Sequence, residues 1–532
     1  MAEFDYVIVG AGAAGCVLAA RLSEDPTVRV ALLEAGGRDS ALMLGIPGAN
    51  VLTGTKPEFN WNYQTEPVPG LGGRSLYWAQ GRLLGGSTSI NGMMYLRGRR
   101  RDYDGWAAAG CQGWGYEDLL PLFRRSETNE RGESRLHGGS GPLQVSAGRA
   151  TAPVCDLFLE AAHHAGFGLS SDLSEDVPES FGHVDMMIGR GRRSSTSTAF
   201  LHPASVRRNL TVEVNALATR VLLERGVARG VEFLQAGKVQ RVRAAREVIL
   251  AGGAVNSPQL LMLSGIGPAD HLSAHGVDVF ADRPAVGQNL QNHPMYRLLY
   301  TTIRPVTAYS HLSLAGLATA GWQYLAGRRG VLSRGLFPTS GFLNAEPSRP
   351  ETEVQVSIAP ALVIRRRPGL LGSLPTEHGF TLLLNHGSPF SRGQVRLKSV
   401  DPRVDAAIHP NYFADSRDIG ILARGVARIR DLVRQGELGR VIGRELQPGR
   451  TNGGLSDLHE DIRATTVTHY HAGGTCRMGA DAESVVDPQL RVRSVQGLRV
   501  ADTSIMPVMI NANTCAAAVM IGEKAADLIR AA

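Results

Sequence analysis

At 532 residues the chain is too long for one small core, and its 43% hydrophobic and 20% charged content is that of an ordinary soluble globular protein. The net charge of +7 is spread over scattered arginines. The densest run, Arg97 to Asp102, is short and lacks a surrounding aromatic-studded basic module, so no nucleic-acid partner is expected.

The N-terminus enters a strand at once, "FDYVIVG", leaving no room for a signal peptide. Five cysteines, odd in number and widely spaced, argue against a disulfide framework and for a reducing compartment. A cytoplasmic location is expected. The strand runs into Gly10, Ala11, Gly12, Ala13 and Gly15, a G-x-G-x-x-G turn that opens an alanine-rich helix. Its glycines serve a tight turn, the close passage of a pyrophosphate, and close helix–sheet packing. The helix N-terminus then offers N–H groups to phosphate. A second apolar strand ends at Glu34 and Ala35. A carboxylate there accepts a hydrogen bond from a ribose 2′-OH and repels a 2′-phosphate, which disfavours NADP. The motif alone does not separate FAD from NAD.

Further along, "GRLLGGSTSINGMMYLRGRRRDYDGW" (Gly81 to Trp106) carries many backbone amides and hydroxyls that a polar, planar ring system would satisfy. "GGAVNSPQLLMLSGIGP" (Gly252 to Pro268) reads as a glycine turn, a short helix and a terminating Gly-Ile-Gly-Pro. Leu312 to Gly327 is the longest mostly apolar stretch, and it is too short and polar to span a bilayer. Peripheral membrane attachment stays open. Arg366 to Gly379 reads as an exposed loop near a pocket mouth. In "THYHAGGTCRMG", His469 and His471 would share one face of a strand. Three readings compete: a metal site, packed core histidines, or a catalytic base. Zinc needs at least three protein ligands, and the sequence shows no obvious third, so no metal is expected.

Together these segments resemble the glucose–methanol–choline (GMC) oxidoreductases, FAD-dependent alcohol oxidases and dehydrogenases. The likeness continues through "PAVGQNLQNHP", "SRGQVRL", "GLRVADTSIMP" and "NANTCAAAVMIGEKAADLI", covering the whole chain. It implies that Leu83, Ser87, Asn91, Gly92, Met93 and Met94 belong to a segment lying along the flavin. It places Ala218 at the adenine and makes Asp502 an FAD-contacting aspartate. Where some relatives tether FAD through a histidine, this chain has Ile90, so the FAD is expected to be non-covalent. His471 takes the place of the catalytic base and Asn513 that of its polar partner, with a helix N-cap as the other reading of Asn513. His469 is expected to shape the substrate pocket. An imidazole near pKa ~6.5 can accept a hydroxyl proton, while the flavin takes the hydride that no side chain can. The block from Asn513 to Ala518 lacks the proline and final threonine common in relatives.

The expected fold is α/β. A Rossmann-type FAD-binding domain would comprise 1–150, 200–295 and 496–532. A substrate-binding domain, a sheet with covering helices, would comprise 151–199 and 296–495. The expected function is oxidation of a CH–OH group, a primary alcohol becoming an aldehyde, with electrons passed to a quinone-type or other acceptor. The alternatives are an O₂-using oxidase and a hydroxynitrile lyase with structural FAD.

Overall fold

The structure, a computed structural model, describes residues 2–348, 353–363, 377–449 and 454–532. Most of the loop expected at 366–379 therefore lies outside the described residues.

Two sheets organise the molecule. In the first, Ala2–Val9 pairs in parallel with Val30–Leu33 on one side and Lys238–Leu250 on the other. Leu210–Glu213 extends this parallel array beyond Val30–Leu33. Val227–Gln235 folds back as an antiparallel strand against the first half of Lys238–Leu250, and Leu217–Glu224 pairs antiparallel with its other edge. The end of that long strand pairs instead with Leu498–Val500. Val30–Leu33 reads as an unbroken apolar run and is buried at every position because both faces of the sheet are covered there. The helices Ala13–Leu22 and Cys515–Arg530 pack on each other at this sheet. Gly522 permits that helix–helix contact, where a Cβ would lie 2.8 Å from the Ala14 carbonyl oxygen, and Gly15 lets the first helix close on the sheet: a Cβ there would lie 1.9 Å from the Gly10 carbonyl oxygen. Gly10 itself turns with φ of +100°.

The second sheet is antiparallel for most of its width. Its order runs Ile442–Gln447, Pro294–Thr302, Gly379–His386, Val354–Ala359, Thr339–Leu343, Ser180–His183 and Gly168–Leu169. Its central strands alternate strictly. Val354, Val356 and Ile358 share a core with Ile419, Leu422 and Val426 of the helix Ser416–Leu432. Gln355, Ser357 and Asn385 are also buried, and the two-residue period of a strand turns them to the opposite face. That inner face, polar at Gln355 and Asn385 and apolar at Met295 and Leu383, is where the site forms. Cys476, Met478, Val485, Val486 and Val495 join the core of the first sheet, although the sequence reading grouped them with the second. Among the described residues no helix is long and apolar enough to cross a membrane.

Candidate active site

A cavity opens at the carboxyl ends of the parallel strands, where open α/β sheets place their ligands. At one end its wall is Gly10, Gly12, Ala13, Glu34, Ala35 and Ala218. Gly12 stands at the N-cap of Ala13–Leu22 without a side chain to cap it, so the first-turn N–H groups are open to a phosphate. Glu34 accepts hydrogen bonds from the Ala11 and Gly36 N–H groups, each at 2.8 Å. Burial nevertheless lifts its carboxyl pKa to about 7. Asp502 also lines the cavity; it accepts from Gly253 N–H at 2.9 Å, the Ser257 hydroxyl at 2.6 Å and Ser504 N–H at 2.8 Å. It thereby ties the loop after Leu498–Val500 to the start of the helix Gly253–Leu263.

Three expected cofactor residues are not on the cavity wall. Ala11 spends its N–H on Glu34 and its carbonyl on Gly85. Gly15 sits against Gly10, so its part is packing. Leu83 is buried with Leu44, Phe59 and Ile90 beneath the loop it was expected to line.

Ser87, Asn91, Gly92, Met93 and Met94 do form the wall next to these glycines. The two glycine loops touch: a Cβ on Gly86 would lie 2.8 Å from the Gly12 Cα. Ile90 lines the cavity as well, and its hydrocarbon side chain offers no nucleophile to tether a flavin. Asn91 Oδ1 accepts from Met93 N–H at 3.0 Å and from Arg193 at 2.9 Å. Arg193, overlooked in the sequence, also donates to the Thr88 and Asn91 carbonyls. Its burial lowers its pKa to about 9, so it is a costly group kept to hold this loop. Cys515, part of the departure from the family pattern, has its thiol pushed up to about 12 by burial and is no nucleophile at neutral pH.

His469, His471 and Asn513 meet in this cavity too. The strand expected to carry both histidines stops at Thr468. Tyr470 takes a left-handed φ of +64°, which breaks the alternation and still leaves the two rings 4.2 Å apart. The third histidine that the sequence did not show is His293, brought in by the strand pairing of Pro294 with Thr468. Ligand nitrogens of His293, His469 and His471 all lie within 4.8 Å of one another.

A hydrogen-bonded chain accounts for both nitrogens of His293 and His471. His293 Nε2 is 3.1 Å from the Ile510 carbonyl, which only accepts, so the proton is on Nε2 and Nδ1 bears the lone pair. That lone pair accepts from His471 Nδ1–H at 2.9 Å. His471 Nε2 is then unprotonated, and the Asn513 amide donates to it at 3.2 Å. The amide's orientation is set by Gln355, which donates to Asn513 Oδ1 at 3.1 Å. The helix N-cap is therefore not Asn513 but Thr514. Asn292 pins the backbone of the base: its Oδ1 accepts from His471 N–H at 2.9 Å and its Nδ2 donates to the Thr468 hydroxyl at 2.6 Å. An ionised aspartate there could make the second contact only with reversed polarity, accepting from the Thr468 hydroxyl.

Burial, with His469 and His293 adding smaller contributions, holds His471 well below its ordinary pKa of 6.5. His469 falls to about 4 and His293 to about 3 for the same main reason. All three imidazoles are neutral at physiological pH.

The GMC oxidoreductase family matches this chain over residues 4–295 with its N-terminal part and 389–522 with its C-terminal part. Human mitochondrial choline dehydrogenase is 41% identical over 538 residues, covering 99% of this chain and 90% of that protein. The oxygen-dependent choline dehydrogenase of Sinorhizobium medicae is 39% identical over 529 residues, covering 99% and 95%. Among solved structures, pyridoxine 4-oxidase from Mesorbium loti aligns with a TM-score of 0.89 at 32% identity, over 99% of each chain. An R554K variant of Aspergillus oryzae formate oxidase aligns at 0.93 and 28%, over 100% of this chain and 98% of that one. A glycine cradle, a carboxylate at the end of the second parallel strand and an unprotonated imidazole in one cavity fit the flavin cofactor of that family. The chain belongs to the GMC oxidoreductases and is an FAD-dependent oxidoreductase acting on the CH–OH group of a small-molecule alcohol.

Proposed function

We propose that the enzyme dehydrogenates an uncharged primary alcohol to its aldehyde, with His471 as the base, and passes the electrons to a quinone-type acceptor. The observation that supports this most is the Ile510–His293–His471–Asn513 chain, which leaves His471 Nε2 unprotonated in the cavity, its lone pair facing the Asn513 amide. That nitrogen takes the hydroxyl proton. The Asn513 amide, aimed at the same point, donates to the oxygen as its charge grows. Bound FAD supplies the hydride acceptor. Gly10, Gly12, Ala13, Glu34, Ala35, Ser87, Asn91, Gly92, Met93, Met94, Ala218 and Asp502 hold it in this reading, and His469 bounds the substrate space. The domain division at 1–150, 200–295 and 496–532 against 151–199 and 296–495 belongs to the same proposal.

The preference for an uncharged alcohol rests on the wall around His471. Met295 adjoins the histidine segment, Leu383 comes from the neighbouring strand, and Phe337 packs on Gly92. The carboxylates of the described cavity wall are Glu34, Asp405 and Asp502. Glu34 and Asp502 are engaged at the dinucleotide end, and Asp405 lies in the field of Tyr63, whose hydroxyl is bonded to Asn256. A quaternary ammonium head would find apolar side chains beside His471 and no carboxylate among the described residues. The relatives named for choline make choline the second reading.

Anaerobic mixing with benzyl alcohol, a series of aliphatic primary alcohols and choline tests the assignment. Bleaching of the flavin by the uncharged alcohols at much lower concentration than choline is the expected result. Preferential bleaching by choline would move the assignment to the second reading, and bleaching by none would refute both. Slow recolouring in air, against fast reoxidation by a quinone analogue, is expected of the dehydrogenase.

The pH profile follows from the depressed His471. The base works when neutral, hence above its pKa, and that pKa lies well below 6.5. The acidic limb of kcat/KM should accordingly fall below pH 6.5, with near-maximal activity at pH 6.5 itself. A midpoint at or above 6.5 would show that His471 is not held neutral by burial.

A further inference from the structure

The helix Leu314–Gly327 is the longest mostly apolar stretch of the sequence, yet it is not part of a core. Its main packing partners are the short turns Ala308–Leu312 and Val331–Ser333. Trp322 is 70% exposed and Leu325 87%, and Leu317 is exposed as well. Ala318, Trp322 and Leu325 follow one another at four- and three-residue steps, so they share one face, and Arg328 and Arg329 follow directly where the helix ends. An indole and a leucine this open on a folded chain are unusual enough to mark a contact surface.

Charge identifies what the surface contacts. No aspartate or glutamate occurs between Asp282 and Glu346. Arg328 and Arg329 end the helix in solvent, and Arg190 and Arg192 are exposed close by: a Cβ on Gly191 would lie 2.4 Å from the Arg328 carbonyl oxygen. Arg192 and Arg328 both act on Tyr324 of the helix, whose hydroxyl contacts the Gly45 carbonyl. The neighbouring carboxylates are spoken for, Glu130 by Arg149 and Asp39 by His202. An apolar stripe carrying a tryptophan and rimmed by arginines that form no ion pair among the described residues matches an anionic lipid surface, with the ring at headgroup depth and the guanidinium groups on phosphate.

We propose that the face formed by Trp322, Leu325 and Leu317, with Arg190, Arg192, Arg328 and Arg329, docks the enzyme onto an anionic membrane surface. The position suits electron delivery. Gly48 packs on Leu332 of the turn after the helix, and Asn50 and Gly54, just beyond, line the cavity. Docking through this face brings that wall of the cavity towards the bilayer, where a lipid-soluble acceptor resides. The docking inference does not depend on the identity of the alcohol or the acceptor.

The test is co-sedimentation of the FAD-loaded, full-length protein with phosphatidylcholine vesicles, with and without phosphatidylglycerol. Binding is expected to the anionic vesicles only, with a blue shift and bromolipid quenching of fluorescence that Trp322→Phe removes. Trp322→Ser with Leu325→Ser should lower partitioning at least about tenfold. Each of Arg328→Gln and Arg329→Gln should weaken it roughly fivefold. All these variants should keep their flavin absorbance and their turnover with a soluble dye acceptor, which shows them folded. Absence of vesicle binding, or binding unchanged in the serine variant, would overturn the proposal. So would a dimer in sedimentation velocity that the serine variant dissociates while vesicles leave it unbound, because a second copy would then cover the face.

Discussion

Replacing His471 with alanine is expected to lower kcat by about two to four orders of magnitude while FAD remains bound. The base acts only through Nε2, and no other described side chain puts an unprotonated nitrogen beside the Asn513 amide. His469 is close, but its unpartnered Nδ1 is buried and its pKa has fallen to about 4, so it is a poor substitute. The same geometry distinguishes chemistry from shape at His293. His293→Gln keeps an acceptor that can face His471 Nδ1–H and should retain much of the activity. His293→Leu removes that acceptor, and His471 can then turn its proton to Nε2. A rate lost in the leucine variant and largely kept in the glutamine variant, at equal flavin content, is the signature of tautomer control. Equal loss in both would make His293 a packing residue. Near-normal turnover by His471→Ala with FAD bound would remove His471 as the base.

The second large effect is expected at Gly15→Ala. The new methyl would have to sit 1.9 Å from the Gly10 carbonyl oxygen and 3.3 Å from the Ala251 side chain, both on rigid elements. The helix Ala13–Leu22 must then lift from the sheet, which also moves its open N–H groups from the phosphate position. Overpacking of this kind costs about 1–3 kcal/mol. A lower Tm together with a reduced ratio of flavin to protein absorbance after purification would bear this out. Full flavin content at unchanged Tm would show that the helix can approach the strand in another way. Gly276 supplies the control: although it has φ of +70°, a Cβ there meets nothing within 4 Å, so Gly276→Ala should disturb stability alone.

The nucleotide end of the site was legible along the chain because its parts are local. A turn demanding glycine, a helix start and a carboxylate at the next strand end stand at fixed spacings, and each spacing expresses a backbone constraint. The resemblance to GMC enzymes added His471 and Asn513 as a pair without saying how they meet. Leu83 shows the limit of carrying a segment over residue by residue: a loop that lines a cavity with some side chains must bury others, and only the tertiary structure decides which.

What the sequence determined by itself is a dinucleotide-binding turn and the parallel sheet that presents it, with the flavin and His471 as the proposed base added by the resemblance to GMC enzymes. The turn and the sheet follow from local backbone geometry and from a motif whose spacing leaves little freedom. The tertiary structure alone decided the protonation geometry and the exposed helix. His293 lies far from His471 in sequence and meets it through the pairing of Pro294 with Thr468. Gln355 reaches Asn513 because a strand's two-residue period turns it to the inner face of the second sheet. Arg193 had no sequence signal, since its role is to satisfy carbonyls of a loop distant along the chain. The apolar run from Leu312 to Gly327 reads as too short and polar to span a bilayer, and hydrophobicity alone does not say what covers such a segment. Only packing showed that protein leaves Trp322 and Leu325 uncovered.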